Sequence, residues 1–200
     1  MMSGTTLKDV RLIGTAWPGH FNKIIAETMY ANIERVGLPE WTEDDQRFAR
    51  ATQGEVGGAQ TGLATELSRL RPAPTEAQRT AGYADDIGDI SWNVPTATLS
   101  YPSNMPGLPG HNWANAIAMA TPIAHKGVTA GAKAYAMTVL DLLVTPSVLE
   151  NAWDYFDNVQ TNGQDYLSLL RPQDEPAIWL NRDIMEEFRP QLEPYYYDPS

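Results

Sequence analysis

The sequence predicts an α/β protein, in which short strand-like segments stand among longer helices. Residues 5–14 alternate weakly between apolar and polar side chains, and residues 94–101 also have the pattern of a strand. Apolar side chains recur at helical spacing over residues 21–36, which predicts an amphipathic helix. Strands and helices together therefore indicate a sheet with helices packed on it.

The predicted helices are bounded by residues that favour helix ends. Gly37 is a suitable C-cap for the first helix. A second helix is predicted over 42–52, where three acidic residues in the first turn interact favourably with the helix dipole. The dipeptide Thr121–Pro122 predicts the start of a long helix to about residue 144, and Thr145–Pro146 predicts another. Small residues of the long helix would let it lie close against a sheet: Ala124, Gly127, Gly131 and Ala134.

The remaining segments are predicted to be loops and a C-terminal extension. Glycine or proline is frequent in 53–62, 72–74 and 102–110, which is typical of loops. Residues 150–200 contain eleven acids, three bases and five prolines. We therefore expect an acidic, proline-punctuated extension with one or two short helices.

Composition excludes several classes of protein. The net charge of −11 argues against nucleic acid and against an anionic membrane surface as partners, because both require basic faces. The absence of cysteine excludes disulfides, thiolate catalysis and cysteine-based zinc sites. No apolar run approaches about 20 residues, and the N-terminus lacks the pattern of a signal peptide. These features predict a soluble, cytoplasmic protein of one domain, or a large piece of two.

Histidines and acidic clusters are the first candidates for chemistry. His111 follows the 102–110 loop, and His125 comes fourteen residues later, at a predicted helix start. By spacing alone, a surface or capping role is favoured over a metal ligand. Asp85, Asp86 and Asp89 are close together, and a solvated turn is favoured over a metal-related role.

Other motifs carry less information. The pair Glu186–Glu187 lies on a short charged helix, so we expect a solvated face rather than an acid and base pair. Neither a phosphate loop nor a Gly-x-Ser-x-Gly elbow is present, which argues against a nucleotide-binding loop and a serine hydrolase. The cluster Tyr195–Tyr197 fits either a docking tail or packing against the body of the protein.

Four segments, taken in order, carry a resemblance to a known family. They are ANIERVGLPEWTEDDQRFA (31–49), DIGDISWNVPTAT (86–98), PGHNW (109–113) and PIAHKGV (122–128). Together they resemble the C-terminal part of the metal-dependent amidohydrolases related to aminobenzoyl-glutamate utilisation protein B. These enzymes are part of the aminoacylase/carboxypeptidase superfamily of zinc peptidases. The resemblance covers roughly residues 5–158.

The resemblance implies a domain organisation. Residues 1–17 would be the end of an α+β lid domain, including its last strand. Residues 18–158 would be the C-terminal part of a catalytic domain with a mixed sheet and helices on both faces. Residues 159–200 would be the acidic extension.

The resemblance also implies site residues and cofactors. His111 matches the last metal-ligand histidine of a dinuclear zinc or manganese centre, which polarises an amide carbonyl and activates water. Asp86 and Asp89 become candidates for supporting the metal ligands or shaping the active-site loop. His125 becomes a candidate for contacting a substrate carboxylate or orienting a ligand. Asn22 matches a family asparagine, but helix capping is the favoured interpretation.

The chain also departs from the family pattern. It has no His-x-Asp motif, and its Glu-Glu pair comes after the last ligand instead of before the lid. We therefore expect a C-terminal portion of an amidohydrolase, inactive alone, that acts on an aminobenzoyl-glutamate-like or N-acyl amino acid substrate. Its partner would be the missing N-terminal half or a second copy. The alternatives are one subunit of a split enzyme, and a non-catalytic binding or scaffold protein that docks through its acidic tail.

Overall fold

The computed structural model describes residues 4, 6–8, 12–73 and 84–196. Within this part of the chain the regular structure is helical. We number the α-helices in chain order: α1 (Lys23–Val36), α2 (Glu43–Glu55), α3 (Asp86–Ser91), α4 (Trp113–Ala118), α5 (Pro122–Val144), α6 (Pro146–Tyr155) and α7 (Arg182–Leu192). A π-helical turn, Phe156–Gln160, continues α6, and 3₁₀ turns at Ile178–Asn181 and Glu193–Tyr195 flank α7.

The predicted α/β class is wrong for this structure, because the described residues contain no strand and no sheet. They contain a single isolated bridge, between Pro18 and Ala84. Residues 94–101 are irregular, and so are the described parts of 5–14, whose other residues lie outside the described part of the chain. A strand needs a neighbouring strand for its main-chain hydrogen bonds, and weak alternation in sequence does not supply one. Pro95 also removes one possible donor from the second segment.

The helix predictions are confirmed, because their end signals act locally. Gly37, with φ of 72°, is the C-cap of α1, and its N–H donates to Ile33 O. Thr42 and Asp45 form a capping box at the start of α2. Both α5 and α6 begin with the predicted prolines.

The small residues of α5 lie close to an irregular segment, where the sequence predicted a sheet. A Cβ added to Gly127 would come within 2.5 Å of Ser103 Cα, and one added to Gly131 within 3.1 Å of Tyr101 Cβ. The Tyr101 hydroxyl in turn donates a short hydrogen bond to Gly37 O. The close approach was therefore correctly predicted, and the kind of neighbour was not.

Two packing centres position the candidate site. Helix α1 packs against α5 and α6. A cluster of buried side chains lies between α2, α4 and the N-terminus of α5: Ala49, Leu63, Met105, Ala118 and Ile123. Trp41 and Leu108 pack against this cluster.

The chain divides into two compact units, one of residues 17–166 and one of residues 1–16 with 167–200. In the second unit, the described helical residues of the acidic segment include none that is buried. The short helices predicted there are confirmed. The predicted domain boundaries at 17 and 158 remain predictions.

Helix α5 is long and apolar enough to cross a membrane by length and composition. This is weak evidence, because core helices of soluble proteins pass the same test.

Candidate functional site

His111, the predicted metal ligand, is exposed and stands directly before α4. Its φ of 51° lies in the left-handed region, which costs a residue other than glycine about 1–2 kcal/mol. The next residue, Asn112, caps α4, and its Oδ1 accepts a hydrogen bond from the Ala114 N–H at 3.0 Å. The imidazole is thus presented at the surface by a strained residue, and strain of this kind is concentrated at functional sites.

Buried and half-buried amides hold the loop that leads to His111. The Asn104 side chain donates to Asn115 O at 3.3 Å and makes a short hydrogen bond to Asn115 Oδ1. Its own Oδ1 accepts from the Met105 N–H at 2.7 Å. On the other side, Gln53 Nε2 donates to Pro106 O at 2.9 Å. The loop is therefore fixed to both α4 and α2, so that His111 follows an anchored segment.

His125 is exposed near the start of α5, where its backbone N–H donates to Thr121 O at 3.2 Å. It lines an open groove of about 760 Å³, together with Thr129, Lys133 and residues of 36–42. An imidazole and an ammonium group on one groove are suited to a carboxylate. The predicted substrate contact of His125 remains a prediction.

The residue next to His125 forms an ion pair that sequence reasoning missed. Lys126 Nζ lies 2.5 Å from Asp45 Oδ2 and donates to Glu40 O at 3.2 Å. Burial alone would raise the pKa of Asp45, but the Lys126 ammonium and the hydrogen bonds from Thr42 lower that pKa below its ordinary value. The pair ties α5 to the start of α2. No sequence pattern indicates it, because the two residues are 81 positions apart.

The aspartates around α3 stabilise the fold locally. Asp85 is the N-cap of α3 and accepts from the Gly88 N–H at 2.8 Å. Asp89 Oδ1 accepts from the Trp17 N–H at 3.0 Å. Burial, and then the charge and hydrogen bond of Asp89, raise the pKa of Tyr166. Asp89 thus interacts with the first and the last residue of the 17–166 unit. Asp86, on the same helix, is exposed.

A buried polar cluster next to α3 was also missed. Asn22 is the predicted helix cap, with Oδ1 accepting from two N–H groups of α1, and its Nδ2 donates to Gln160 Oε1 at 3.0 Å. Gln160 Nε2 donates to Ser91 O at 3.2 Å and makes a short hydrogen bond to His20 O. The His20 N–H donates to Ser91 Oγ at 2.9 Å. These side chains join α1, α3 and the π-helical turn through polar groups that are all buried.

The structure does not assemble a metal centre from the predicted residues. The part of the chain that is described contains no group of three or more His, Asp or Glu side chains that could hold a metal ion. His111 precedes α4, His125 lies in α5, and Asp86 and Asp89 share α3. A dinuclear centre therefore does not fit the described residues alone. A single ligand contributed by His111 remains a prediction.

Comparison with curated proteins relates the chain to a hydrolase subunit. The chain is 29% identical over 166 residues to a subunit of the p-aminobenzoyl-glutamate hydrolase of Escherichia coli (strain K12). The match covers 72% of this chain and 34% of the relative, so the chain spans about a third of the length of the curated relative it matches. This similarity confirms the predicted resemblance. The chain matches no protein-family model and no solved structure.

Proposed function

We propose that this chain is part of an amide-bond hydrolase that acts on aminobenzoyl-glutamate-like or N-acyl amino acid substrates. The observation that carries the proposal is the similarity to the E. coli protein, which extends over 72% of the chain. The name of that relative identifies it as one subunit of a hydrolase. By analogy, the present chain would act together with further polypeptide that supplies most of the active site.

Within such an enzyme, His111 would be one ligand of a zinc or manganese ion. Its exposure, its left-handed backbone and the anchored loop before it support this role. The remaining ligands would come from outside the described residues, because those residues contain no ligand cluster. His125 and Lys133, which share a groove, would receive a carboxylate of the substrate.

Hydrolysis of p-aminobenzoyl-glutamate by a reconstituted enzyme tests this proposal. The chain would be co-produced with the part of the E. coli relative that lies outside the matched stretch, and release of p-aminobenzoate would be measured. We expect activity only from the mixture, and a loss of at least about 100-fold in kcat/KM for His111→Ala, as for removal of a metal-site group. Asn158→Ala, a change of an exposed polar residue far along the chain, is the matched control.

Metal analysis of the purified chain provides an independent test. We expect no stoichiometric zinc or manganese in the chain alone. Stoichiometric metal that disappears in His111→Ala would contradict the proposal that the other ligands come from elsewhere. Hydrolysis by the chain alone that survives His111→Ala would contradict the assigned role of His111.

A second candidate function is a binding role for the acidic C-terminal segment. Helix α7 exposes an apolar stripe of Ile184, Phe188 and Leu192, and Tyr195 is 85% exposed. Tyr197 lies outside the described residues. An amphipathic helix of this kind fits an apolar groove on a partner. If deletion of 160–200 left all partner binding intact, this role would be excluded.

A further inference from the structure

Asn162 and Gly163 form the tip of an exposed turn near the end of the 17–166 unit. Both residues have left-handed backbones, with φ of 48° and 73°, and the Gln164 N–H donates to Thr161 O at 2.9 Å. Positive φ at both central residues is the pattern of a type I′ turn, for which Asn-Gly is a preferred pair. This is also the only Asn-Gly pair in the sequence. The turn therefore places an asparagine amide directly before a residue that has no side chain.

The turn is held by little beyond its closing hydrogen bond. Asn162, Gly163 and Gln164 are exposed, and a Cβ added to Gly163 would meet no atom within 4 Å apart from its chain neighbours. Exposed backbone hydrogen bonds with few packed neighbours open at a low cost in free energy. Glycine also permits a wide range of backbone angles once the turn has opened. The main-chain nitrogen of Gly163 can thus approach the Asn162 side chain without hindrance from packing.

We propose that Asn162 is a site of spontaneous conversion to aspartate and isoaspartate, which alters the link between two anchored residues of the 17–166 unit. The Gly163 nitrogen attacks Asn162 Cγ and forms a new N–C bond. The bond from Cγ to Nδ2 breaks, and the proton of the Gly163 N–H passes to the departing nitrogen, which leaves as ammonia. Water then opens the cyclic imide at either carbonyl, which yields aspartate or isoaspartate. The reaction requires neither metal nor substrate, so the inference does not depend on the proposed hydrolase function.

The residues on either side of the turn are fixed to other parts of the unit. Gln160, directly before Thr161, is buried and donates to Ser91 O at 3.2 Å. After the turn, the centre of the Tyr166 ring lies 5.6 Å from that of Trp17. Isoaspartate adds one methylene group to the main chain between these anchors, whereas aspartate keeps the original main chain and, like asparagine, tolerates positive φ. Isoaspartate should therefore loosen the anchors, and aspartate alone should not.

Peptide mapping by tandem mass spectrometry, after incubation of the full chain in mildly alkaline buffer, tests the modification. We expect the amide of Asn162 to be lost at least about tenfold faster than that of Asn158, which is also exposed but precedes Val159, a stiff β-branched residue that crowds its own main-chain nitrogen. Asn162→Gln is the matched control and should keep its amide, because its longer side chain would have to close a six-membered ring. Retention of the Asn162 amide, or equal loss at Asn158, would overturn the proposal.

Thermal unfolding of the incubated protein tests the structural consequence separately. The fraction enriched in isoaspartate should have a Tm at least about 2 °C below that of the fresh chain. Asn162→Asp adds the charge without the methylene group and should melt like the fresh chain. An isoaspartate form with an unchanged Tm would overturn the proposed loosening, and an equal fall in Asn162→Asp would overturn the role of the added methylene.

Discussion

Substitution of Gly127 by alanine tests the packing of α5 most directly. The added Cβ would lie 2.5 Å from Ser103 Cα and 2.7 Å from Pro102 C, and still closer to the Pro102 carbonyl oxygen. These are backbone atoms, so no side chain can rotate away. Relief requires that α5 and the 102–103 segment separate by almost an ångström, which also loosens the contact of α5 with α1.

The expected magnitude follows from two opposing effects. In an exposed helix, alanine would stabilise by about 1 kcal/mol relative to glycine. Overpacking usually costs about 1–3 kcal/mol and occasionally more, and against a fixed backbone we take about 3–4 kcal/mol. The net loss is then about 2–3 kcal/mol, which corresponds to a fall in Tm of about 5–10 °C for a protein of this size.

Thermal unfolding followed by circular dichroism measures this loss. Gly131→Ala is the matched control on the same helix, since its Cβ would meet Tyr101 Cβ at 3.1 Å, a side-chain atom that can shift. We expect that control to remain within about 1 kcal/mol of the native chain, because the helix preference of alanine offsets the small displacement. A Gly127→Ala variant as stable as the native chain would refute the packing of α5 on residues 102–103.

Three further predictions concern the residues around the site. His111→Gly should leave stability unchanged or raise it by about 1 kcal/mol, because glycine adopts positive φ without strain; it should still abolish activity of the reconstituted hydrolase. A clear fall in Tm would contradict the strain at His111. The lowered pKa of Asp45 means that its contribution to stability is complete above the unfolded-state pKa of about 3.9 and is lost as the pH falls through the lower folded-state value. In Asp45→Asn, the free energy of unfolding measured in urea should therefore decline less below about pH 4. If its pH profile were the same as that of the native chain, the ion pair with Lys126 would be excluded as the cause of the decline. Gln53→Leu should destabilise by about 2–4 kcal/mol, because it leaves buried groups of Gly62 and the Pro106 carbonyl without their partner. Gln60→Leu, at an exposed position, is its control, and equal melting of the two variants would contradict the role of Gln53.

The features predicted correctly from sequence are those that are decided by near neighbours. The caps at Asn22, Thr42 and Gly37 act within one turn of their helices, so residue type and spacing were sufficient. The strand over 94–101 failed because pairing depends on a distant segment.

In the candidate site too, contacts between distant residues could not be predicted from the sequence. The contact of Lys126 with Asp45 and that of Asn22 with Gln160 join residues 81 and 138 positions apart. No short-range sequence pattern indicates either contact, so neither could be predicted from the sequence. The metal-ligand role of His111 came from family resemblance and stays a prediction, and its left-handed backbone is a feature that spacing does not encode.

Side-chain amides take over part of the role that a neighbouring strand would have for the irregular segments. Gln53 accepts from the Gly62 N–H at 2.9 Å and donates to Gly62 O at 3.2 Å. Gln46 does the same for Leu63, at 2.8 and 3.2 Å. Two glutamines about two turns apart on α2 thus satisfy the main-chain groups of two consecutive residues. Buried main-chain groups must be satisfied, and a carboxamide offers the same donor and acceptor as a peptide group.

The Gln53 side chain also connects the irregular segment at 61–63 with the candidate site. The same Gln53 side chain also reaches Pro106, in the loop that leads to His111. Its two amide hydrogens and its oxygen are therefore shared between the 61–63 segment and the His111 loop, so that disorder in one would be transmitted to the other. The imidazole itself is exposed and contributes little packing of its own, so the position of His111 depends on this amide contact from α2 together with the burial of Met105 and Leu108 in the same loop.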